Sequence, residues 1–295
     1  MQPTIVRFDT SQPAKLAACE LRRCLSQMTG QQWSVGSARA YDPKAPGLWL
    51  GSRRSAGFQP APEADEVTIE TTARHGLIAG SNPRSILLAA YRYLTELGCR
   101  WVRPGKTGES LPTLRALPPV KLQETASYRH RGVCIEGAVS WEHVRDMVDW
   151  LPKLGFNGYF IQFREAYNFF QRWYEHEANP LWPRAKFTTE QAAELTSKLR
   201  REIKRRGLDL HLVGHGWTCE PFGIPGPGWF EHQGPVPADA VQYPAVRLLV
   251  ERRLIPDSRM LVLGLAGGGM AVFALGTILT SSRTGIVLLP VPLAA

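Results

Sequence analysis

The stretch from Leu208 to Gly223, LDLHLVGHGWTCEPFG, closes an apolar run with two His, a Trp, a Cys and a Glu. Residues of these types can ligate a metal, stack on the flat apolar face of a ring, or simply end a strand. His211 and His215 are spaced H-x-x-x-H, which on a helix puts two ligands on one face. On a strand the same spacing covers about 13 Å, too far for one ion unless the chain turns sharply. No third ligand is evident in the sequence, so neither a metal site nor a cofactor is expected. Trp217, beside His215 on a glycine-flanked exit, is either a stacking surface or part of a structural turn.

Carboxylates that could do acid–base work are Glu136, Glu165 and Glu220. Hydrolysis of a glycoside usually needs two carboxyls, about 5 Å apart for retention and roughly 6.5–9.5 Å apart for inversion. The aromatic run with Trp173, Tyr174 and Trp182 is either a substrate wall or a hydrophobic plug under a long loop. PGKTGES (104–110) contains G-K-T, but a phosphate loop needs a further Gly where this chain has Arg100. The segment also leads into a Pro-rich stretch and not into a helix whose N-terminus could hold phosphate, so it is expected to be a turn.

These groups must be positioned by regular elements. Strands are expected at 4–8, 47–52, 65–71, 75–80 and 99–102, bounded by Gly, Pro and charged turns. In PAKLAACELRRCLSQMTG the residues Leu16, Ala17, Leu21, Cys24, Leu25 and Met28 recur at helical spacing, and Gly30 is the stop. SNPRSILLAAYRYLTELGC has Ser81 or Asn82 as cap, Pro83 in the first turn and Gly98 as stop. The Pro-rich exit LPTLRALPPVKL places a domain boundary near residue 125.

From Tyr128 onward, strands near 131–136, 156–163 and 208–214 alternate with helices over 141–155 and 187–207. That order indicates βαβ units and a parallel sheet, either a barrel or a doubly wound fold. In the last strand Leu208, Leu210 and Leu212 share one face, and Asp209, His211 and Val213 the other. The Leu face suits outer helices, so His211 is expected inside and His215 at the rim. Beyond Trp229 the periodicity is lost. Residues 260–282 carry no charge and lie between Arg259 and Arg283, long enough to span a bilayer. They are either a membrane span or a foreign tail arising from a disrupted reading frame.

Hydrophobic residues at 44% and charged residues at 21% are globular values. The net charge of +9 is scattered, with one cluster, LRREIKRRG, that reads as the exposed face of a helix. No nucleic-acid partner is expected, whereas an anionic sugar suits a basic protein. The five Cys (19, 24, 99, 134, 219) form no C-x-x-C pair and look like reduced or buried thiols. No secretory signal is visible, which points to a cytoplasmic or membrane-associated chain.

Several segments together resemble the alpha-glucuronidase-like glycoside hydrolases, in an uncharacterised branch with an alpha-glucuronidase-type N-terminal domain. They are AACELRRCLSQMTG, HGLIAGSNPRSILLAAYRYLTELGCRWVRPGKTGE, YRHRGVCIEG, DMVDWLPKLGFNGYFIQF and GLDLHLVGHGWTCEPFGI, within residues 1–230. The resemblance implies an α/β fold, a small α/β N-terminal domain (1–125) followed by the first part of a (β/α)8 barrel (126–232), and residues 233–295, where the periodicity is lost, are read as a divergent apolar tail. In such barrels the site lies on the loops after the strands. It would then include Glu136, Gln162 to Glu165, and His215 to Glu220, with Glu136, Gln162, His215 and Trp217 contacting an oligosaccharide. Arg131 resembles the sugar-binding arginine of the first hexosaminidase strand, although alternation puts it opposite Glu136. The family's catalytic carboxyls come from later barrel strands, so the catalytic residues stay unassigned. The chain is expected to be a C-terminally truncated fragment with little or no hydrolase activity. The alternative is a non-catalytic carbohydrate-binding module tethered to a membrane by 260–282.

Overall fold

Helical periodicity at the N-terminal end becomes two amphipathic helices with the caps that their flanking residues dictate. The computed structural model describes residues 2–57, 64–73, 75–135, 140–163, 169–170 and 187–215. Residues 1–161 and 166–212 form one compact unit, and the second unit, 162–165 and 213–295, lies almost wholly outside the described residues.

Helix α1 (Gln12–Thr29) starts at Ser11, whose hydroxyl accepts from the Ala14 amide at 3.4 Å, and stops at left-handed Gly30. Helix α2 (Pro83–Glu96) starts at Asn82, whose side chain accepts from the Ser85 amide at 2.9 Å, with Pro83 in its first turn. Both pack on a six-stranded sheet built from β1 (Thr4–Arg7), β2 (Ser34–Ser37), β3 (Gly47–Ser52), β4 (Glu66–Thr71), β5 (His75–Gly80) and β8 (Val120–Thr125). The order is β2-β1-β3-β5-β4-β8. The pairs β1/β2, β1/β3 and β3/β5 are parallel, and β4 runs antiparallel to both β5 and β8.

Strand alternation divides this sheet cleanly. Ile5, Leu48, Leu50, Ile69 and Ile78 join Leu21, Leu25, Ile86 and Tyr93 in the helix-covered core. Phe8, Trp49, Leu77 and Ala79 form a smaller cluster on the opposite face. Gly80, at the end of β5, is required by close approach. A Cβ there would lie 2.2 Å from the Ile86 amide nitrogen, inside the first turn of α2.

Three strands were not anticipated from the sequence, β2, β8 and the two-residue strand Glu109–Ser110. Most of β8 is solvent-facing, and Val120 is its only buried residue. It exists because the chain returns from the Pro-rich segment to pair along the whole of β4, from Glu66↔Thr125 to Thr71↔Val120. PGKTGES forms a 3-10 turn (Lys106–Gly108) between two short strands, β6 (Arg100–Trp101) and β7 (Glu109–Ser110), as a turn reading requires.

The chain continues through β9 (Gly132–Ile135), α3 (Trp141–Trp150), β10 (Gly158–Phe163), α4 (Thr189–Arg206) and β11 (Asp209–His215). The helix expected over 141–155 is α-helical only to Trp150, then 3-10 from Leu151 to Leu154, because Pro152 has no amide to continue the ladder. Thr188 and Gln191 form a reciprocal capping box at the start of α4, and left-handed Gly207 ends it. Arg206, 3% exposed, ties α4 to α3 by donating to Asp149 at 2.7 Å. The three strands are ordered β11-β10-β9, and β9 and β10 are parallel.

The architecture is therefore α/β, a small α/β sheet domain followed by consecutive strand–helix units like those that begin a (β/α)8 barrel. No helix among the described residues is long and apolar enough to cross a membrane. The apolar 260–282 tail lies outside the described residues.

Candidate functional site

Strands β9 to β11 begin at a common end. Register pairs Gly132 with Gly158, Val133 with Tyr159, Cys134 with Phe160 and Ile135 with Ile161. The Asp209 amide, at the start of β11, donates to the carbonyl of Asn157, just before β10, at 2.9 Å. Tyr159 and Ile161 are fully buried. On the alternate positions Cys134 is exposed, and Phe160 and His211 are half-buried.

The His211 ring lies flat on Phe160, with centroids 4.2 Å apart and planes within 10°. His130 meets His211 edge-on at 6.2 Å. Gly132 makes this possible, since a Cβ there would come within 2.6 Å of the Phe160 ring. His211, expected inside a barrel core, is half-buried and stacked against an aromatic neighbour. Among the described residues no group of three His, Cys, Asp or Glu side chains is placed to hold a metal ion.

Of the sequence-derived substrate contacts, Arg131 is the one whose side chain is described, and it sits at the opposite end from the strand exits. Its Nη2 donates to Asp65 Oδ2 at 2.6 Å, its Nη1 to the Tyr128 carbonyl at 2.6 Å and its Nε to the Gly155 carbonyl at 2.7 Å. Each guanidinium nitrogen is engaged before β9 begins, so Arg131 fastens the strand starts with three of its five N–H donors. Gln162 lies near the end of β10 and His215 is the last residue of β11. Glu136 follows directly on β9 in the sequence. Glu136, Glu165, Trp217 and Glu220 lie outside the described residues, as do Trp173, Tyr174 and Trp182.

The partner of Arg131 organises the whole junction. Asp65 is 6% exposed and precedes β4. Its Oδ1 accepts from Asn82 Nδ2 at 3.0 Å, Arg84 Nε at 3.1 Å and Ser85 Oγ at 2.8 Å, all at the N-terminus of α2. Its Oδ2 accepts from Arg131 and from Asn157 Nδ2 at 3.1 Å. Arg84 Nη1 also reaches Asp209 Oδ2 at 3.2 Å. One carboxylate, aided by Arg84, therefore touches the start of β9, of β10 and of β11. Burial alone would push the Asp65 carboxyl up. Hydrogen bonds from Asn82, Arg131 and Ser85 and the charge of Arg84 outweigh it and hold the carboxyl well below the usual carboxylate range. Nothing in the local sequence announces this role, because the partners come from 17 to 92 residues further along.

No protein-family model matches the chain, and no curated protein matches it. Solved structures similar to it include a family 115 4-O-methyl-alpha-glucuronidase with specificity for decorated arabinogalactans. That likeness has a TM-score of 0.49 and 15% identity, over 86% of this chain and 34% of the other. A mutant Streptomyces plicatus beta-hexosaminidase in complex with GlcNAc gives 0.47 and 15%, over 71% of this chain and 41% of the other. A family 89 glycoside hydrolase from Clostridium perfringens gives 0.42 and 16%, over 66% and 24%. These neighbours are glycoside hydrolases at low identity, and the chain spans less than half the length of each.

Proposed function

We propose that this chain is a glycoside hydrolase-like protein of polysaccharide metabolism that contacts an oligosaccharide through Glu136, Gln162, His215 and Trp217. The observation that carries the reading is the common starting end of β9, β10 and β11, fastened by Asp65. In strand–helix barrels the site is built at the end of the strands opposite such a common start. Gln162 has the strand parity of Phe160, and His215 that of His211. Trp217 supplies a ring for the apolar face of a pyranose. The net charge of +9 favours a glycan bearing a uronic acid. Arg131 is left out of this set because it sits at the strand starts, where three of its donors serve the junction.

On this reading residues 1–125 are the N-terminal α/β module, 126–232 the first part of a barrel, and 233–295 a divergent tail. The segment resemblance puts the catalytic carboxyls on later barrel strands, so residues 126–232 are read as binding a glycan without turning it over. Calorimetric titration of the full chain with a glucuronate-bearing xylo-oligosaccharide tests this. Trp217→Ala should weaken binding roughly tenfold, the scale of a lost stacking contact, and aryl glucuronides should not be hydrolysed. Undiminished binding by Trp217→Ala and His215→Ala would remove the site, and measurable turnover would remove the non-catalytic assignment.

A second reading rests on the charge-free stretch 260–282. It makes the chain a carbohydrate-binding module tethered to a membrane. Membrane fractionation of the full chain against one ending near residue 235 decides this, since only the longer form should sediment with membranes.

A further inference from the structure

A cleft of about 480 Å3 lies between α2, β8 and the 3-10 turn that follows α3. That volume is in the range of small-molecule pockets. Its walls are largely apolar, with Val67, Leu88, Cys99, Trp101 and Leu154 contributing. Leu154 at 44% exposure is a large hydrophobic side chain left facing solvent.

The charged residues lining the cleft are unequal in number. Four cations line it, Arg92, Arg100, Arg131 and Lys153, against two carboxylates, Asp65 and Glu124. Three of the cations are already paired. Arg92 holds Glu124 at 2.7 Å and also Glu96, Arg131 holds Asp65 at 2.6 Å, and Lys153 holds Asp149 at 2.7 Å. Arg100 is exposed, and its Nη1 donates only to the Thr95 and Cys99 carbonyls, at 2.9 and 2.7 Å. It has no carboxylate partner among the described residues. A ligand entering the cleft meets an apolar wall and one uncompensated guanidinium.

We infer that this cleft binds a compact amphipathic monoanion, an aromatic carboxylate whose ring lies against Leu88 and Trp101 and whose charge is met by Arg100. A polyhydroxylated sugar does not fit so apolar a wall, because its hydroxyls would lose water without gaining partners. The site is independent of the proposed glycan contacts, since none of its lining residues is among them, and either reading can fail alone.

Calorimetry on the full chain with 2-naphthoate and its neutral counterpart 2-naphthamide tests the inference. One site should be found, with the acid bound roughly tenfold more tightly than the amide, as a charge-assisted hydrogen bond implies. Arg100→Gln, at an exposed position, should erase that preference and leave amide binding unchanged. Thr95→Phe, which fills the cleft from a half-buried position on α2, should abolish both, with the melting temperature confirming a folded chain. Equal affinity for acid and amide, an acid preference retained in Arg100→Gln, or undiminished binding in folded Thr95→Phe would each overturn the proposal. Displacement of naphthoate by glucuronate at equal concentration would also overturn it, by showing a general anion site.

Discussion

Arg131 Nη2 and Asp65 Oδ2 lie 2.6 Å apart, an ion pair that joins positions 66 residues distant and links the N-terminal sheet to the start of β9. The Asp65 side chain is 2% exposed and that of Arg131 19%, so water does little to screen the pair. Both carboxylate oxygens carry several donors, which offsets the cost of burying the charge.

Removing that charge should be among the most damaging single changes in the molecule. Asp65→Asn leaves Arg84 and Arg131 facing a neutral amide and is expected to cost ~3–5 kcal/mol, the usual loss when one partner of a buried pair is removed. Urea denaturation of the two proteins at neutral pH measures it. A difference within about 0.5 kcal/mol, the range of ordinary surface changes, would rule out the organising role.

The same pair predicts a direction for acid sensitivity. The folded carboxyl titrates well below its ordinary value near 3.8, so the unfolded chain takes up the proton first as pH falls. The stabilisation is complete above that ordinary value and is lost progressively as pH drops through it toward the folded one. The gap between wild type and Asp65→Asn should be constant from pH 7 to 5 and narrow below about pH 4. A gap that widens on acidification would contradict the assignment.

Gly80→Ala should destabilise the N-terminal domain by ~1–3 kcal/mol, as overpacking does. The added carbon meets backbone atoms of Ser85 and Ile86, at 2.2 Å, which cannot swing aside like a side chain. Thermal melting of the variant is the measurement. The reference change Gly30→Ala has open space around its Cβ and should cost only the left-handed backbone strain.

Thiol chemistry should divide the cysteines by burial. Cys24 and Cys99 are fully buried, and burial pushes their thiols up to about 12 and about 11. Cys19 and Cys134 are exposed. Iodoacetamide at pH 8 followed by peptide mass analysis should label Cys19 and Cys134 within minutes, and Cys24 and Cys99 only after denaturant is added. Early labelling of Cys24 would mean that the α1 core opens far more readily than its packing implies.

The helices were legible because caps, stops and periodicity are local signals. Gly30 ends α1 and Gly207 ends α4 where the sequence placed them, and the structure selects Asn82 over Ser81 and Thr188 over Thr189 as caps, while the Ser11 cap of α1 was not read from the sequence. The strands β3, β5 and β10 were legible as apolar runs between turn residues. β2 and β8 were not, since their residues are mostly solvent-facing and the strands arise from pairing with β1 and β4. For Arg131, resemblance suggested a sugar contact. The fold instead spends its donors on Asp65, Tyr128 and Gly155.

The amino-acid sequence by itself determined the types of the main elements, the glycine stops of α1 and α4 and the alternation of β11, because these depend on neighbours within a few residues. Only the tertiary structure decided that Asp65 gathers Asn82, Arg84, Ser85, Arg131 and Asn157 around one carboxylate, and that Arg100 stands uncompensated over an apolar cleft. Both depend on which distant side chains share a low-dielectric space, and no local spacing encodes that.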